Sequence, residues 1–556
     1  MRSRAEIRAP LKTAASSARR RQHSRRLAAG SDFTVRHLPW FVLAIALAPL
    51  SCSLFAGETQ PNLLVITVDG LRFDAISQSL GSAHTPNMHS LAGEGQRFTH
   101  CYSHSPVGLP AHVALFSART PQSTGVANNG VAIERDVALL AEHLKKRGYV
   151  TAAAVSLASL WAPPAPESEH GDPRMNKHIQ PTGLDRGFDS YAIGPRELVS
   201  ATEVNQRLLG QLDAFPQHQP WFLFAQYSEP HAPFDAWGTA DVQADVLVDG
   251  KVVARIPVSE SVDWDQELTF APGTHLVAFR AAADIEVRRF ECFSGTGTVD
   301  VVVRDGGFHS PAKQHVFSIQ NDTGAPATFR CDAWVHDVPD VQQSRARYKL
   351  EVEAVDRAIG ELVAALVQRG AYEDTLVVLT SDHGTALGEH GHVGAGNALY
   401  DELLRVPLVI KLPQRSTLLP RLAKFEHAPI RQIDIVPTVL DVLDEGSLSG
   451  ADGVSVLQDA DRTLFAEVHP PEAPNSYFCV RDDRYKLVYS TGSSRFALYD
   501  VQADTLEADD VFELQGQFRA NWQTDLKRMA ANSSHEVNAR MGMAEPRPAH
   551  LQSLGD

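Results

Sequence analysis

Apolar residues gather in four runs too continuous for half-exposed strands and too short for helices: NLLVITVD (62–69), YVTAAAVS (149–156), WFLFAQYSEP (221–230) and TLVVLTSDHG (375–384). Runs of this length and composition predict strands buried on both faces. Between them apolar positions recur every three or four residues, as in DVALLAEHLKKRG (136–148) and KLEVEAVDRAIGELVAALVQRG (349–370), the period of helices with one buried face. This alternation predicts an α/β fold: a doubly wound, mostly parallel sheet with helices on both sides. Such sheets place ligands beyond the carboxyl ends of their strands. Those ends carry Asp69, Glu229 with His231, and Asp382 with His383.

Between residues 239 and 339 the period changes. Short alternating runs with turn signals, such as VLVDGKVVARI around Asp249-Gly250 and VDVVVRDGGFH around Asp305-Gly306, predict an inserted β-sandwich. The helix-and-strand pattern then resumes, so one α/β domain spans 60–238 and 340–448. From 449 to 530, YFCVRDDRYKLVYS and RFALYDV predict a small C-terminal sheet subdomain with a helical stretch near 513–529. Residues 531–556 read as a polar tail.

A chain of 556 residues with 43% apolar content can bury a core for two or three domains. Its net charge of −16 is unevenly spread, because residues 1–37 hold ten Lys and Arg against Glu6 and Asp32. With that local +8 removed, the rest stands at −24. A body this acidic excludes a nucleic-acid partner, which would need clustered cations. The basic stretch runs into an apolar segment, Leu38 to Leu50, of the length of a secretory-signal core and short for a membrane span. Residues 1–57 therefore read as a leader and signal or anchor, and the protein as exported to the periplasm, cell surface or medium. SRRLA (24–28) resembles a twin-arginine signal, and LSC ending at Cys52 resembles a lipoprotein cleavage site with Pro49 in the slot for Leu. Membrane anchoring through this segment or a lipidated Cys52 stands beside simple cleavage. Cys292 and Cys331 could pair in an oxidising compartment, whereas Cys101 and Cys479 read as buried thiols.

Asp69 and Asp382, at two strand ends, could chelate a hard divalent cation, with His383 as a third ligand. The plain alternative is that each Asp caps a helix or opens a turn. In SPVGLPAHVALFSARTP (105–121), Pro110 predicts the first helical position, leaving free N–H groups and a positive dipole end beside Gly108 to stabilise an anionic ester. Any helix start offers the same.

Seven ordered stretches carry a stronger signal: NLLVITVDGLRFD, TPNMHSLAGEGQRFTHCYSHSPVGLPAHVALFSARTP, SEPHAPF, TLVVLTSDHGTALGEHG, LYDELLRVPLVIKLP, IRQIDIVPTVLDVL with DGVSVL, and FALYDV. Together they resemble the sulfatases of the alkaline phosphatase superfamily over nearly the whole exported length outside the insert. The resemblance implies a calcium- or magnesium-type ion beside a formylglycine made from Cys or Ser, or beside a Thr or Ser in phosphate-ester relatives. Laid on the family motif without a gap, the nucleophile falls on Gly108, the motif Ser on Ala111 and the motif Arg or His on His112. Position 108 thus offers no nucleophile, and no formylglycine is expected. Gly70 stands where the family commonly has a second acid. Ala395 and Asn397 stand where relatives offer Lys or His. Asp69, Asp382, His383, His112, His231 and Lys411 persist at matching positions.

Loss of a covalent nucleophile removes the intermediate that divides the reaction into two easier steps. A weaker cation site follows from the missing acid. Ser103, Ser105, Ser117 and Cys101 are near in sequence but off the motif register, and a separate zinc set from His383, His390 and His392 is the alternative for the histidines. His231 reads as a residue near the substrate oxygen, and Lys411 as an anion ligand or a solvated strand end. The expected protein is a sulfatase-like hydrolase of sulfate esters, slowed or silenced at Gly108. The alternative is a non-catalytic binder of sulfated or phosphorylated glycans.

Overall fold

The computed structural model describes residues 60–541 except 77–82, 158–159, 161–181, 194–198, 232–242, 259–262, 295–296, 300, 306–311, 338–340, 471–474 and 516–518. The leader with Cys52, and residues 542–556, lie outside the described residues.

Eight strands form the central sheet: β1 (Asn62–Val68), β2 (Gln96–Tyr102), β3 (Val150–Val155), β4 (Ser190–Ile193), β5 (Trp221–Tyr227), β6 (Thr375–Thr380), β7 (Arg405–Lys411) and β8 (Ile430–Arg431). Their spatial order is β8-β2-β7-β6-β1-β5-β3-β4. β7 is antiparallel to both of its neighbours and the remaining pairings are parallel, so one strand alone runs against the others. The continuous apolar run of β1 is explained by two cores, one on each face. Leu63 and Val65 enter the first, with Leu109, Val113 and Phe116 of the Gly108–Ser117 helix. Leu64, Ile66 and Val68 enter the second, with Val204 and Leu208 of the Ala201–Leu212 helix and Val352, Val355 and Ile359 of the Val341–Gln368 helix. Alternate side chains on a strand point to opposite faces, so a strand covered on both sides is apolar on both, apart from polar residues with a buried partner such as Thr67.

The described strands of the insert run from Gln243 to Asp337. It is a single hydrogen-bonded sheet rather than two separate ones, because the 22-residue strand Gly273–Ser294 pairs with several partners along its length. The sheet encloses its own core of Trp264, Phe270, Phe279, Phe290, Phe317 and Phe329. Cys292 and Cys331 sit opposite each other on adjacent strands, Cα atoms 4.2 Å apart, and form a disulfide.

A four-stranded antiparallel sheet, Leu464–Val468, Tyr477–Arg481, Tyr485–Ser490 and Arg495–Asp500, forms the C-terminal subdomain. The helix Ala520–Met541 packs Leu526, Met529 and Ala530 onto it. This helix runs into the segment read as a polar tail, so the structured chain extends at least to Met541. The subdomain is fastened to the α/β domain by a buried charge cluster. Lys486 Nζ lies 3.1 Å from Asp401 Oδ1 and 2.8 Å from Glu507 Oε1, and Arg481 Nη1 lies 3.3 Å from Asp401 Oδ2. Arg481 also reaches the Tyr102 hydroxyl at the end of β2. Two cations meet two carboxylates, and the opposite charges hold Asp401 below the usual carboxylate range and Lys486 above its own, against the burial penalty on each.

Candidate cation and ester site

Asp69 follows β1 directly, and its N–H donates to Tyr227 O at the end of β5 (2.8 Å), which fixes the residue at the carboxyl edge of the sheet. Gly70 then turns with φ +65°, and a Cβ there would approach Pro230 O to 3.3 Å. The left-handed backbone gives this glycine a conformational reason beyond the loss of an anionic oxygen. Tyr348, on the Val341–Gln368 helix, grips the same turn: its hydroxyl accepts from Arg72 N (2.8 Å) and lies 3.2 Å from Gly70 O.

The turn after β6 supplies Asp382 and His383. Ser381 Oγ ties it to the first turn, accepting from Leu71 N at 3.0 Å and lying 2.5 Å from Val68 O. Gln432, fully buried, donates from Nε2 to Ser381 O (2.8 Å) and Asp382 O (3.1 Å), and its Oε1 lies 3.3 Å from Ser103 Oγ. Gly384 follows because Glu402 O would lie only 2.0 Å from a Cβ at that position.

Three ligand atoms converge between these turns. His383 Nδ1 is 2.8 Å from Gly384 O; a carbonyl only accepts, so Nδ1 carries the hydrogen and Nε2 turns the other way. Nε2 faces Asp69 Oδ1 at 3.6 Å and Asp382 Oδ2 at 3.5 Å. Asp382 Oδ2 is buried with no hydrogen-bond partner among the described residues, while its other oxygen accepts from His383 N at 2.9 Å. Buried oxygens with a ring nitrogen aimed at them need positive charge between them. The set of two carboxylates and one imidazole therefore fits a hard divalent cation. Among the described residues this is the one His/Cys/Asp/Glu group whose ligand atoms lie close enough together to hold a metal.

Gly108 is the first residue of the Gly108–Ser117 helix and is buried, as is that whole helix. The helix begins two residues earlier than Pro110 predicts, which corrects the expected N–H cradle. Leu109 N donates to Asn129 Oδ1 (2.9 Å), Ala111 N donates to Val107 O (3.1 Å), and Pro110 has no N–H. His112 lies one turn on. Its Nδ1 donates to Gly108 O at 2.7 Å, its Nε2 accepts from Thr67 Oγ1 at 2.9 Å, and Asp382 Oδ2 is 3.7 Å from Nδ1. Burial pushes this imidazole below its ordinary value, against the pull of Asp382, so the neutral ring is favoured. Both nitrogens are engaged, and His112 positions the start of the helix between β1 and Asp382.

His231 lies in the turn after β5, where its N–H donates to Ser228 O (3.0 Å) and Pro230 packs on Gly70. Burial pushes neighbouring Glu229 up to about 7, and its carboxylate accepts from Ala201 N at the head of the Ala201–Leu212 helix. Lys411 is not with these residues. It closes β7, and because β7 is the reversed strand, its end lies at the opposite edge of the sheet. Lys411 Nζ donates to Tyr372 O (2.7 Å) and approaches Thr375 O (3.3 Å) at the start of β6, so the reading of an anion ligand is corrected to a structural one. His390 stacks on Tyr400 with ring centroids 3.6 Å apart, and the zinc set with His383 and His392 is not formed. Ala395 packs with Ala386, Ala398 and Leu403. Of the off-register nucleophiles, Ser117 Oγ donates to Val113 O and Ser103 Oγ to Ser105 O, and burial pushes the Cys101 thiol up.

Residues 61–445, the span that contains every strand of the central sheet and all of these turns, match the family model described as Sulfatase. The chain belongs to the sulfatase family. Residues 388–534 of this family member also match the model for the N-sulphoglucosamine sulphohydrolase C-terminal region. It is 26% identical over 482 residues to the choline-sulfatase of Rhizobium meliloti, covering 82% of this chain and 83% of that one. The N-acetylglucosamine-6-O-sulfatase of Bacteroides thetaiotaomicron is 24% identical over 518 residues, covering 84% and 87%. Among solved structures, the phosphonate monoester hydrolase of Agrobacterium radiobacter shares the fold with a TM-score of 0.55 at 20% identity, over 85% of this chain and 96% of that one. Sulfatases as a family use a divalent metal, and the Asp69, Asp382 and His383 cluster is the candidate for it here.

Ser381, Gln432 and Thr67 escaped the sequence reading. Each lies inside a quoted stretch, but nothing in its type distinguishes a residue that joins two turns from one that faces solvent.

Proposed function

We propose that this sulfatase-family protein binds sulfate esters at a divalent-cation site and hydrolyses them slowly or not at all, because position 108 presents no nucleophile. One observation carries the reading: the buried cluster of Asp69, Asp382 and His383 keeps the chemistry of a cation site, while the residue that the family motif aligns with the nucleophile is glycine. A bound calcium or magnesium ion would supply positive charge to polarise an anionic ester oxygen. Asp69, Asp382 and His383 would hold that ion, weakly for want of a further acid. His112 holds Gly108 O and so sets the floor of the pocket. His231, in the turn beside Gly70, would orient the leaving oxygen. Without a covalent intermediate, a loss of several orders of magnitude in rate is expected.

The relatives named choline-sulfatase and N-acetylglucosamine-6-O-sulfatase support a sulfate ester as the ligand class. The Cys292–Cys331 disulfide supports an exported location, since such bonds persist in oxidising compartments. No described helix is long and apolar enough to cross a membrane. A second reading, a non-catalytic binder of anionic glycans, is favoured by the insert, which has its own core and could serve as a binding module.

The test is turnover of an aryl sulfate by wild type and by Gly108→Cys made alongside a formylglycine-generating enzyme. Gly108 has no left-handed backbone to forbid a side chain. Wild type should be near background and the variant at least about a hundredfold faster. An ordinary enzyme rate in wild type would sink the reading. Ser105→Ala checks the one nearby serine whose hydroxyl is buried without a partner among the described residues, and it should change nothing.

A further inference from the structure

Arg72 follows Asp69 in the turn after β1, and its guanidinium reaches across to the turn that carries His383. Nη1 donates to Thr385 O at 3.0 Å and to Glu389 Oε1 at 3.2 Å. Nε and Nη2 donate to the two oxygens of Asp74, each at 3.0 Å. The side chain is only 12% exposed. One planar fork thus holds three partners in fixed directions, which the compact charge of a lysine does not reproduce.

The ring of His383 is aimed at the cation cluster through its bond from Nδ1 to Gly384 O at 2.8 Å. That carbonyl belongs to the peptide joining residues 384 and 385, and Thr385 O is the next carbonyl along the chain. Residues 381–385 lie in no helix or strand, and Gly384 has no side chain to restrict its own backbone. The peptide is instead held from both ends. Gly384 N donates to Leu403 O at 2.8 Å on one side, and Arg72 grips Thr385 O on the other. Without Arg72 the second end is released, and the carbonyl that steers His383 can swing.

Arg72 is itself fixed in the Asp69 turn, where its backbone N–H donates to the Tyr348 hydroxyl at 2.8 Å. It therefore sets the third ligand relative to the first. Two buried carboxylates repel each other until a cation arrives, so affinity depends on what keeps the ligands in place beforehand. Arg345 grips the same loop farther on, with Nε donating to Leu387 O at 2.8 Å, two residues beyond Thr385.

We propose that Arg72 is a positioning residue for the cation: its bond to Thr385 O fixes the Gly384 carbonyl, which sets His383 Nε2 against Asp69 and Asp382. This role rests on the cation site proposed above.

The experiment titrates calcium and magnesium into the full chain by calorimetry. Arg72→Met removes the fork, and Arg72→Lys keeps a positive charge between Asp74 and Glu389, which preserves the fold. Both should bind metal at least about tenfold more weakly than wild type, the scale of an outer-shell partner. The lysine variant decides the question where the methionine variant does not fold. In a His383→Ala background the same Arg72→Lys change should cost less than about threefold more, because the ring it steers is gone, whereas independent effects would multiply. Arg345→Met should stay within about threefold of wild type. Wild-type affinity in Arg72→Lys would overturn the role and leave the cation site standing. Equal losses in the two backgrounds, or a loss as large in Arg345→Met, would overturn it too. No binding of either metal by wild type would bring down the cation site itself, and this role with it.

Discussion

Asp401, Arg481, Lys486 and Glu507 form one buried cluster of ionisable groups, and Asp69, Asp382 and His383 form another. The first holds two cations against two carboxylates and reaches from the α/β domain to the C-terminal subdomain. The second holds two carboxylates and an imidazole whose outward nitrogen points at them. Equal burial thus has opposite meanings. A cluster balanced by its own side chains stabilises the fold, and a cluster short of positive charge is shaped for something the chain does not supply.

Removing one member from each cluster should therefore shift stability in opposite directions. Lys486→Met leaves Asp401 and Glu507 facing each other with Arg481 alone, and breaking a buried pair of this kind costs about 3–5 kcal/mol. A marked fall in the denaturation midpoint is expected, and an unchanged midpoint would show that the cluster is not load-sharing. Asp382→Asn keeps an oxygen to accept from His383 N and gives the unpartnered position an amide that can donate to His383 Nε2. In metal-free buffer its midpoint should equal or exceed that of wild type by about 1 kcal/mol, while calcium or magnesium affinity, read by calorimetry, drops at least about tenfold. A variant that loses stability without metal would erase the contrast between the clusters. Lys411→Met should have the smallest effect, about 1–2 kcal/mol for the lost bonds to Tyr372 O and Thr375 O, with metal affinity unchanged. Loss of metal binding in that variant would return Lys411 to the site.

The buried parallel strands were legible because both faces are covered, so β1, β3, β5 and β6 are mostly apolar on both faces, with few polar residues such as Thr67, Thr151 and Gln226. β2, whose sequence QRFTHCY mixes polar and apolar positions, was not read as a strand from its own pattern. Asp69, Asp382 and His383 were legible because parallel strands bring their carboxyl ends to one edge. Lys411 misled for the same reason: residue order does not reveal that β7 runs backwards, which sends its end to the far edge. The helix start was misplaced by two residues because Pro is tolerated anywhere in the first turn, where its missing N–H breaks no helical bond. The backbone bond from Glu467 N to His104 O (3.0 Å), which joins the C-terminal sheet to the turn after β2, left no local trace in either stretch.

The chain departs from the sheet just after His231 and re-enters it through the helix whose Tyr348 grips the Gly70 turn. The described chain on either side of the insert therefore packs on the turn that follows Asp69. A module with its own core, spliced in between a sheet strand and a helix, can lengthen or shorten over evolutionary time without disturbing a single strand of the scaffold that carries it.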